Sequence, residues 1–228
     1  MYKWLLFDAD GTIFDFDAAS AAALHNTFID AGIPHTDETI AAYYRINHAC
    51  WEAFERGEIS AESLRPKRFE RLLSELNHNG NPMAIGTYYA NRLAEGTQLL
   101  DGATDMLNAV HGRHEMLLIT NGLKEVQRPR FNATNMANYF PHVVISDEVG
   151  VAKPHPRIFD ICFEKMGNPA KSEVLIIGDG LSSDMRGGLD YGIDTCWVNL
   201  KGKTRPADMP MTHEINNLSQ LATILGAA

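Results

Sequence analysis

The 228-residue sequence has few cysteines, no long hydrophobic run and fewer basic than acidic residues. Its three cysteines, Cys50, Cys162 and Cys196, lack the paired spacing of a zinc site or a disulfide framework. This usage favours a reducing compartment and predicts a cytoplasmic protein. No run is as long as a membrane span, and Asp8 falls inside what would be the apolar region of a signal peptide. We therefore expect neither a membrane segment nor a secretion signal.

The formal net charge of −9 argues against binding to the polyanionic surfaces of nucleic acid polymers or membranes. A small phosphorylated ligand stays compatible with this charge if basic residues are concentrated locally. The composition is that of a folded enzyme, so we expect the whole chain to fold. The expected partner is a small-molecule substrate, and a monomer or a small homo-oligomer would both be compatible with the sequence.

One stretch stands out: the apolar run from Trp4 to Phe7, followed at once by Asp8, Asp10 and Gly11. Continuous apolar residues predict a strand buried on both faces, and Gly11 permits a sharp turn after it. Acidic residues at the carboxyl end of such a strand favour a ligand site, because loops there line the crevice of an open α/β sheet. Ordinary turn chemistry is the simpler alternative. A calcium-binding loop is excluded because no Glu occupies the closing position.

Apolar strands and helices alternate through the second half of the sequence. Alternation of this kind predicts an α/β fold, a doubly wound parallel sheet with helices on both faces. Asp101 and His155 are expected as helix N-caps. After the opening strand, the predicted strands are 116–119, 142–145, 174–177 and 195–198, and the predicted helices run from 101 to 111 and over 124–133, 156–166, 183–191 and 218–225.

Between the first strand and the rest of the sheet lies a block in which every predicted element is a helix, at 18–31, 36–57, 60–77 and 82–95. An uninterrupted helical block is most simply an inserted domain. The sequence therefore divides into an α/β core of residues 1–14 and 97–228 and an inserted helical domain of residues 15–96. Within the insert we expect two features: an aromatic core of Tyr43, Tyr44, Trp51 and Phe54, and a solvated basic helix face of Arg65, Lys67, Arg68 and Arg71.

Polar side chains recur where the predicted strands end, and these ends converge in a doubly wound sheet. Singly, each has a simpler explanation as a helix cap or a surface charge. Like charges about 4 Å apart repel by roughly 4 kcal/mol at an effective dielectric near 20, so carboxylates sharing one site require protonation or a cation. Oxygen ligands in modest number favour Mg²⁺. The residues concerned are Asp8 and Asp10, Thr120, Asn121 and Gly122, Lys153, and Asp179 and Asp184.

A metal, the Lys153 ammonium, the Thr120 hydroxyl and the backbone N–H groups of Asn121 and Gly122 would together form a receptor for a dianionic phosphoryl group. The sequence therefore predicts a Mg²⁺ site beside a phosphate site at one edge of the sheet.

Four motifs occur in a fixed order: Asp8-Ala9-Asp10-Gly11-Thr12, Thr120-Asn121-Gly122, Lys153-Pro154, and Gly178-Asp179 followed by Asp184. In this order they resemble the motifs of the haloacid dehalogenase superfamily, whose helical cap occupies the position of the insert. The resemblance implies a Rossmann-like core of that superfamily, with an inserted all-helical cap domain.

More narrowly, the sequence resembles the YjjG/YfnB group of pyrimidine 5′-nucleotidases. That resemblance is carried by Phe7–Asp10, Phe16–Ala19, Val149–Pro154 and Ser183–Gly188. In the last motif, Gly180 stands where a serine would be expected. The resemblance implies a phosphomonoesterase acting on nucleoside 5′-monophosphates.

The superfamily resemblance also implies roles for the motif residues. Asp8 would attack phosphorus to form an aspartyl-phosphate, and Asp10 would act as general acid and then general base. Mg²⁺ would be bound by Asp8, the main-chain carbonyl of Asp10, Asp179 and Asp184, the last directly or through water. Thr120, Asn121, Gly122 and Lys153 would hold the phosphoryl oxygens, and Lys153 would also steady Asp8.

Several alternatives stay open at the level of the sequence. Phosphoglycolate or a sugar phosphate could be the substrate, because cap side chains choose the leaving group in this superfamily. A β-phosphoglucomutase would share most of the motifs. A dehalogenase is disfavoured because that chemistry needs neither a metal nor Asp10. The non-enzymatic alternative is a phosphate-binding regulatory module, which the intact Asp8 and Asp10 pair argues against.

Overall fold

The computed structural model describes residues 2–226, in which six strands form one parallel sheet. The strand order is β3-β2-β1-β4-β5-β6, so β1 lies between β2 and β4 at the centre. The predicted doubly wound parallel sheet is confirmed. The strands are β1 (Trp4–Phe7), β2 (Glu115–Thr120), β3 (His142–Ile145), β4 (Val174–Gly178), β5 (Asp194–Val198) and β6 (His213–Ile215).

The central strand β1 is buried on both faces, as its continuous apolar sequence predicts. Successive side chains of a strand point to opposite faces, so Leu5 and Phe7 join one hydrophobic cluster while Trp4 and Leu6 join another. Each cluster is completed by residues from the neighbouring strands and from helices. The sheet is therefore covered on both faces, which leaves the ends of its strands as the place for polar functional side chains.

Ten α-helices occur in the described residues, four within residues 16–94 and six later in the chain. The later six are α5 (Ala103–Val110), α6 (Lys124–Ala133), α7 (Ser146–Val149), α8 (Pro156–Lys165), α9 (Arg186–Tyr191) and α10 (Gln220–Ile224), and they follow the four earlier helices, α1 (Phe16–Ala31), α2 (Asp37–Glu55), α3 (Ala61–Glu75) and α4 (Pro82–Ala94). In the described part of the chain, no helix is both long enough and apolar enough to cross a membrane.

The chain forms two compact units. One contains the sheet and comprises the residues up to Asp15, Gln98–Gly122 and the chain from Phe131 onward. The other is helical and comprises Phe16–Thr97 with Leu123–Arg130, a segment that the sequence-based division assigns to the core. The assignment of residues 15–96 as a functional cap domain stays a prediction.

Within the helical unit, α4 packs against α1 and α3, and α3 also packs against α2. Tyr43, Phe69 and Tyr89 meet at its centre, with ring centroids 5.5–5.7 Å apart. Of the predicted aromatic core, Tyr43 is fully buried, whereas Tyr44 is 38% exposed. Helices α2, α3 and α4 start at side-chain caps supplied by Thr36, Ser60 and Asn81, respectively.

The prediction of a solvated basic face on α3 is wrong for Arg68. Its side chain is buried, donates to Asn47 Oδ1 (3.1 Å) and lies over the Tyr89 ring with 4.7 Å from Cζ to the centroid. A guanidinium is weakly hydrated and stacks on aromatic faces, which lowers the cost of its burial. Charge alone in the sequence does not distinguish this arginine from the other basic residues of the face, of which Arg65 and Lys67 are half-buried and Arg71 is exposed.

Three local predictions in the sheet unit are corrected. The N-cap of α5 is Gly102 rather than Asp101, and its φ of +79° is a conformation that favours glycine. The predicted helix 183–191 is divided into a π-helical turn, Leu181–Met185, and α9. The short edge strand β6 had no prediction, because its three residues carry no long apolar run. The predicted cap at His155 is confirmed by a hydrogen bond from Arg157 N–H to His155 Nδ1 (3.1 Å).

Candidate active site

The predicted site residues of the sheet unit lie at the carboxyl ends of adjacent strands. In the parallel register Phe7 is level with Leu118 of β2 and with Ile177 of β4. The next residue after β1 is Asp8, whose N–H donates to Ile177 O (2.9 Å). Asp8 therefore lies between the ends of β2 and β4, as the sheet topology requires.

Lys153 is fixed at the same edge by the side chain of Asn121, which follows β2. Asn121 Oδ1 accepts from Lys153 N–H (2.8 Å), and Asn121 Nδ2 donates to Lys153 O (2.8 Å). The Ser146 hydroxyl in turn donates to Asn121 O (2.9 Å). These bonds hold the main chain of Lys153 beside the strand ends although no strand precedes it directly.

The Lys153 ammonium uses its three N–H donors within this unit. It donates to Asp8 Oδ1 (2.7 Å), Asp184 Oδ1 (2.6 Å) and Ile119 O (2.9 Å), and its side chain is 1% exposed. An ammonium group has three donors and no acceptor, so these contacts satisfy it completely. One buried cation thus binds two buried carboxylates.

Asp184 lies on the π-helical turn Leu181–Met185, which follows β4. Its Oδ2 accepts from Gly180 N–H (3.0 Å), and the side chain is buried. A Cβ at Gly178 or Gly180 would overlap the Asp184 side chain, and at Gly180 it would also overlap Ser183 Oγ. Gly180, which stands where a serine would be expected, is therefore compatible with this turn, whereas a side chain there would overlap its neighbours.

Three carboxylates form a cluster at this edge. Asp8, Asp179 and Asp184 each offer an oxygen, and these oxygens all lie within 4.8 Å of one another. Burial raises the pKa of Asp8 well above its ordinary value; the Lys153 ammonium opposes this, and Asp184 and Asp179 reinforce it. Burial and the Asp184 carboxylate raise the pKa of Asp179 to about 6. Negative charge at this site therefore exceeds what Lys153 compensates.

A divalent cation fits the donor set of this cluster. Three carboxylates against one ammonium leave an excess of negative charge, and oxygen ligands of this kind suit a hard cation such as Mg²⁺.

The turn at Gly11 packs closely against the cluster, as the turn at Gly180 does. A Cβ at Gly11 would lie 2.8 Å from Asp179 Oδ2. The first motif and Asp179 are therefore packed so tightly that only glycine is accommodated between them.

Asp10 lies on the turn after β1, half-buried and outside the three-carboxylate cluster. The Ile13 and Phe14 N–H groups both donate to Ala9 O (2.9 Å each), and Gly11 N–H donates to Phe14 O (3.0 Å). These bonds close the turn and fix the backbone that carries Asp10 two residues after Asp8.

The three predicted phosphate residues after β2 differ in their contacts. Thr120 is buried, and its Oγ1 accepts from Gly122 N–H (3.0 Å). The Asn121 amide binds the Lys153 main chain, so its side chain positions Lys153. The sequence places all three residues at this edge but does not reveal that contact.

Other residues at the site have no prediction from the sequence. Thr12 Oγ1 is buried 3.5 Å from Asp8 Oδ2, and its place within the first motif is a signal that could have identified it. Ser146 and Trp197 are distant in sequence from the site residues that they bind. Ser146 donates to Asn121 O, and Trp197 Nε1–H donates to Asp179 O (3.1 Å). Such contacts depend on tertiary packing, which no local pattern encodes.

Comparison with known proteins agrees with this geometry. A model of the haloacid dehalogenase-like hydrolase family matches residues 2–192. The chain is 37% identical over 224 residues to pyrimidine 5′-nucleotidase YjjG of Escherichia coli (strain K12), covering 98% of both proteins. It is 31% identical over 225 residues to pyrimidine 5′-nucleotidase PynA of Streptococcus pneumoniae, covering 98% of this chain and 95% of that protein.

Among solved structures, the magnesium-bound putative HAD-hydrolase YfnB of Bacillus subtilis matches with a TM-score of 0.91 and 36% identity, covering 98% of each chain. The resemblances noted from the motifs, to the superfamily and to the YjjG/YfnB group, are both confirmed. By the family match over residues 2–192 and by full-length relatives above 30% identity, this protein is a hydrolase of the haloacid dehalogenase-like family.

Proposed function

We propose that this protein is a Mg²⁺-dependent phosphomonoesterase that hydrolyses nucleoside 5′-monophosphates, pyrimidine nucleotides first. The observation that carries the proposal is the buried Asp8 carboxylate, which Lys153 holds at the end of β1 in a cluster with Asp179 and Asp184. The names of the relatives YjjG and PynA supply the substrate class.

Asp8 is the proposed nucleophile. One of its oxygens forms a bond to phosphorus while the bond from phosphorus to the leaving ester oxygen breaks, which gives an aspartyl-phosphate. Asp10 donates its proton to that leaving oxygen. The Asp10 carboxylate then takes a proton from the water that attacks phosphorus, so that inorganic phosphate leaves and the Asp8 carboxylate is regenerated.

Lys153 orients the nucleophile in this proposal. Its ammonium donates to Asp8 Oδ1, which makes Oδ2 the proposed attacking oxygen. Because the three donors of Lys153 are used by protein groups, its main contribution to the phosphoryl group is a fixed positive charge rather than a further hydrogen bond. Removing that charge would leave two buried carboxylates without a counter-ion.

The phosphoryl oxygens are proposed to bind at the end of β2. The Thr120 oxygen accepts from Gly122 N–H, so the Thr120 hydroxyl can donate its own hydrogen to a phosphoryl oxygen. The backbone N–H of Asn121 is a further proposed donor. In this arrangement the main-chain N–H of Asn121 binds the substrate, and the side chain of Asn121 binds Lys153.

The residues proposed to hold Mg²⁺ are Asp8, Asp179, Asp184 and the main-chain carbonyl of Asp10. When bound, the ion neutralises the excess negative charge and polarises the phosphoryl oxygens. Both oxygens of Asp184 already accept hydrogen bonds, from Lys153 and from Gly180 N–H. That contact pattern favours Asp184 as a ligand through water, with Asp8 and Asp179 binding directly.

The protein is proposed to act in the cytoplasm on a small-molecule substrate. Cys50, Cys162 and Cys196 are free and buried, which suits a reducing compartment. Burial raises the pKa of Cys196 to about 12, so this thiol stays protonated and chemically inert.

Phosphate release from a panel of substrates tests the proposal. The panel contains pyrimidine and purine nucleoside monophosphates, sugar phosphates and phosphoglycolate, each with and without Mg²⁺. Asp8→Asn is expected to abolish turnover while the fold is retained, because an amide cannot form the aspartyl-phosphate. Asp105→Asn makes the same chemical change at an exposed position of α5 and should retain full activity.

Metal-dependent hydrolysis that favours UMP, dUMP or dTMP would support both the mechanism and the substrate class. Preference for a sugar phosphate or phosphoglycolate would keep the mechanism and overturn the nucleotidase assignment, and isomerised sugar phosphate instead of free phosphate would indicate a mutase. Full activity of Asp8→Asn would refute the mechanism itself. Phosphate binding without any turnover would favour a regulatory module.

A further inference from the structure

The site must attract a dianion, although its most prominent charges are negative. Asp8, Asp179 and Asp184 are grouped within 4.8 Å, and the Lys153 ammonium is already bound to two of them. Mg²⁺ would balance part of this charge, but an approaching phosphomonoester still meets an acidic protein with a net charge of −9. Additional local positive charge would raise the rate and affinity of anion binding.

The turn that follows β5 begins beside the carboxylate cluster. In the parallel register Trp197 of β5 is level with Gly178 of β4, one residue before Asp179. The Trp197 indole N–H then donates to Asp179 O (3.1 Å). Because Asn199 lies two residues after Trp197, the chain leaves the sheet next to Asp179.

Asn199 closes this turn with its side chain. Asn199 Nδ2 donates to Lys203 O (2.8 Å), and Asn199 Oδ1 accepts from Lys203 N–H (2.8 Å). Asn199 is 5% exposed, and Nδ2 also donates to Glu214 Oε1 (2.7 Å) on β6. A buried, fully bonded amide therefore fixes the backbone of a turn whose own side chains are exposed.

The turn carries two lysines, Lys201 and Lys203, both exposed. Their turn begins at Asn199, two residues after Trp197, whose indole N–H donates to Asp179 O (3.1 Å) just beyond the end of β4. These two positive charges therefore lie at the acidic edge of the sheet, on a turn of fixed backbone.

We propose that the turn 199–203 is an anion subsite of the sheet unit, in which Lys201 and Lys203 attract the dianionic phosphoryl group of the substrate and help to retain inorganic phosphate. This inference rests on the proposed phosphomonoesterase function, which it extends to residues outside the four motifs. The two lysines are positioning residues, since they draw the anion toward Asp8 without taking part in bond formation.

The test is the double substitution Lys201→Gln/Lys203→Gln. The bonds between Asn199 and Lys203 involve the main chain of Lys203 and not its side chain, so the turn should retain its fold. The melting temperature of the variant checks this. Lys3→Gln/Lys165→Gln is the matched control, because it removes the same charge from exposed positions elsewhere in the sheet unit. Lys201→Arg/Lys203→Arg keeps the charge and should rescue the double variant.

Two readouts are measured. For hydrolysis, we expect kcat/KM to fall about tenfold at low ionic strength with kcat little changed. The deficit should shrink above about 0.1 M salt, where the screening length falls below about 10 Å. For binding, the affinity of the Mg²⁺-loaded protein for inorganic phosphate, measured by calorimetry, should fall by a similar factor.

Equal kcat/KM and equal phosphate affinity in the double variant and its control would overturn the subsite. A loss that is independent of salt, or that the arginine variant fails to rescue, would overturn it as well. If no phosphomonoester is hydrolysed but phosphate binds more weakly to the double variant, the proposed function fails and the subsite stands. The two proposals can therefore fail separately.

Discussion

Lys153 connects more of the site than any other single side chain named in the motifs. It binds Asp8 and Asp184 through its ammonium and is itself held by Asn121 through its main chain. Burial lowers the pKa of a lysine, but here the two carboxylates prevail and its pKa lies above the ordinary value. The ammonium is therefore charged at neutral pH.

Substitution Lys153→Met should destabilise the protein as well as inactivate it. Breaking a buried ion pair from one side costs about 3–5 kcal/mol, because the remaining charges stay buried without a partner. Urea unfolding of the metal-free protein at neutral pH measures this cost. The loss should be smaller at acidic pH, where Asp8, whose pKa is raised, takes up a proton.

Lys165→Met is the control for this variant, since Lys165 is exposed at the end of α8. It should leave stability and activity close to those of the parent protein. A Lys153→Met protein as stable as the parent at neutral pH would contradict the assignment of Lys153 as the counter-ion of the two carboxylates.

Asp10→Ala should lower kcat by about 10²–10⁴ while substrate still binds, because general acid–base catalysis contributes on this scale. Single-turnover kinetics with a nucleoside monophosphate measures the chemical step directly. With p-nitrophenyl phosphate, whose leaving group needs no proton, formation of the aspartyl-phosphate should be impaired much less. An equal loss of rate for both substrates in that step would argue against Asp10 as the general acid.

At the scale of single residues, the sequence predicts those that follow buried strands. Asp8 and Asp179 directly continue apolar runs, so their position at the sheet edge follows from topology. Asn199 and Trp197 could not be predicted in the same way, because their importance lies in bonds to Lys203 and Asp179. Burial of Arg68 depends likewise on a ring from another helix.

The turn after β1 is the element on which the site depends most closely. Gly11 has a φ of +80°, and a Cβ there would lie 2.8 Å from the Asp179 carboxylate. Gly11→Ala should therefore cost about 1 kcal/mol of backbone strain and also displace Asp179. We expect it to weaken Mg²⁺ binding, measured by calorimetry, and to reduce phosphate release severely.

Gly102→Ala separates these two effects. Gly102 has nearly the same φ, +79°, but a Cβ there would meet no atom within 4 Å. This variant should lose a similar amount of stability while its Mg²⁺ affinity and turnover stay unchanged. If both variants bind Mg²⁺ as the parent protein does, the close approach of Gly11 to Asp179 has no functional role.

Elements with strong patterns were predicted more accurately than those fixed by their surroundings. The bounds of β1 and β3 agree with the sequence, and those of β2, β4 and β5 differ from it by a single residue at one or both ends. The edge strand β6 has only three residues and pairs with β5 alone, so tertiary pairing rather than sequence creates it. The π-helical turn arises where Gly180 N–H meets Asp184, a local contact that helix periodicity does not anticipate.

At the scale of the whole molecule, the carboxylate cluster opposes the stability of the fold in the absence of a cation. The pKa of Asp179 rises from 3.8 to about 6 on folding, so the folded state resists losing this proton. The contribution of Asp179 to stability is fully present below pH 3.8 and is lost as the pH rises through about 6. A bound divalent cation would reverse this, because it would bind the ionised carboxylate and stabilise only the folded chain.

Asp179→Asn isolates the effect from the other titrating groups. In the presence of a chelator the variant should melt at a higher temperature than the parent at neutral pH. The difference should shrink as the pH falls below about 6 and disappear well below pH 3.8, where Asp179 is protonated in both the folded and the unfolded state. With saturating Mg²⁺ at neutral pH the order should reverse, since only the parent retains the full set of carboxylates. A difference in melting temperature that is the same at both pH values and insensitive to Mg²⁺ would show that Asp179 neither ionises against the fold nor binds the cation. The pH and Mg²⁺ dependence of this difference in melting temperature therefore tests whether the cluster destabilises the metal-free fold and stabilises the fold once a cation is bound.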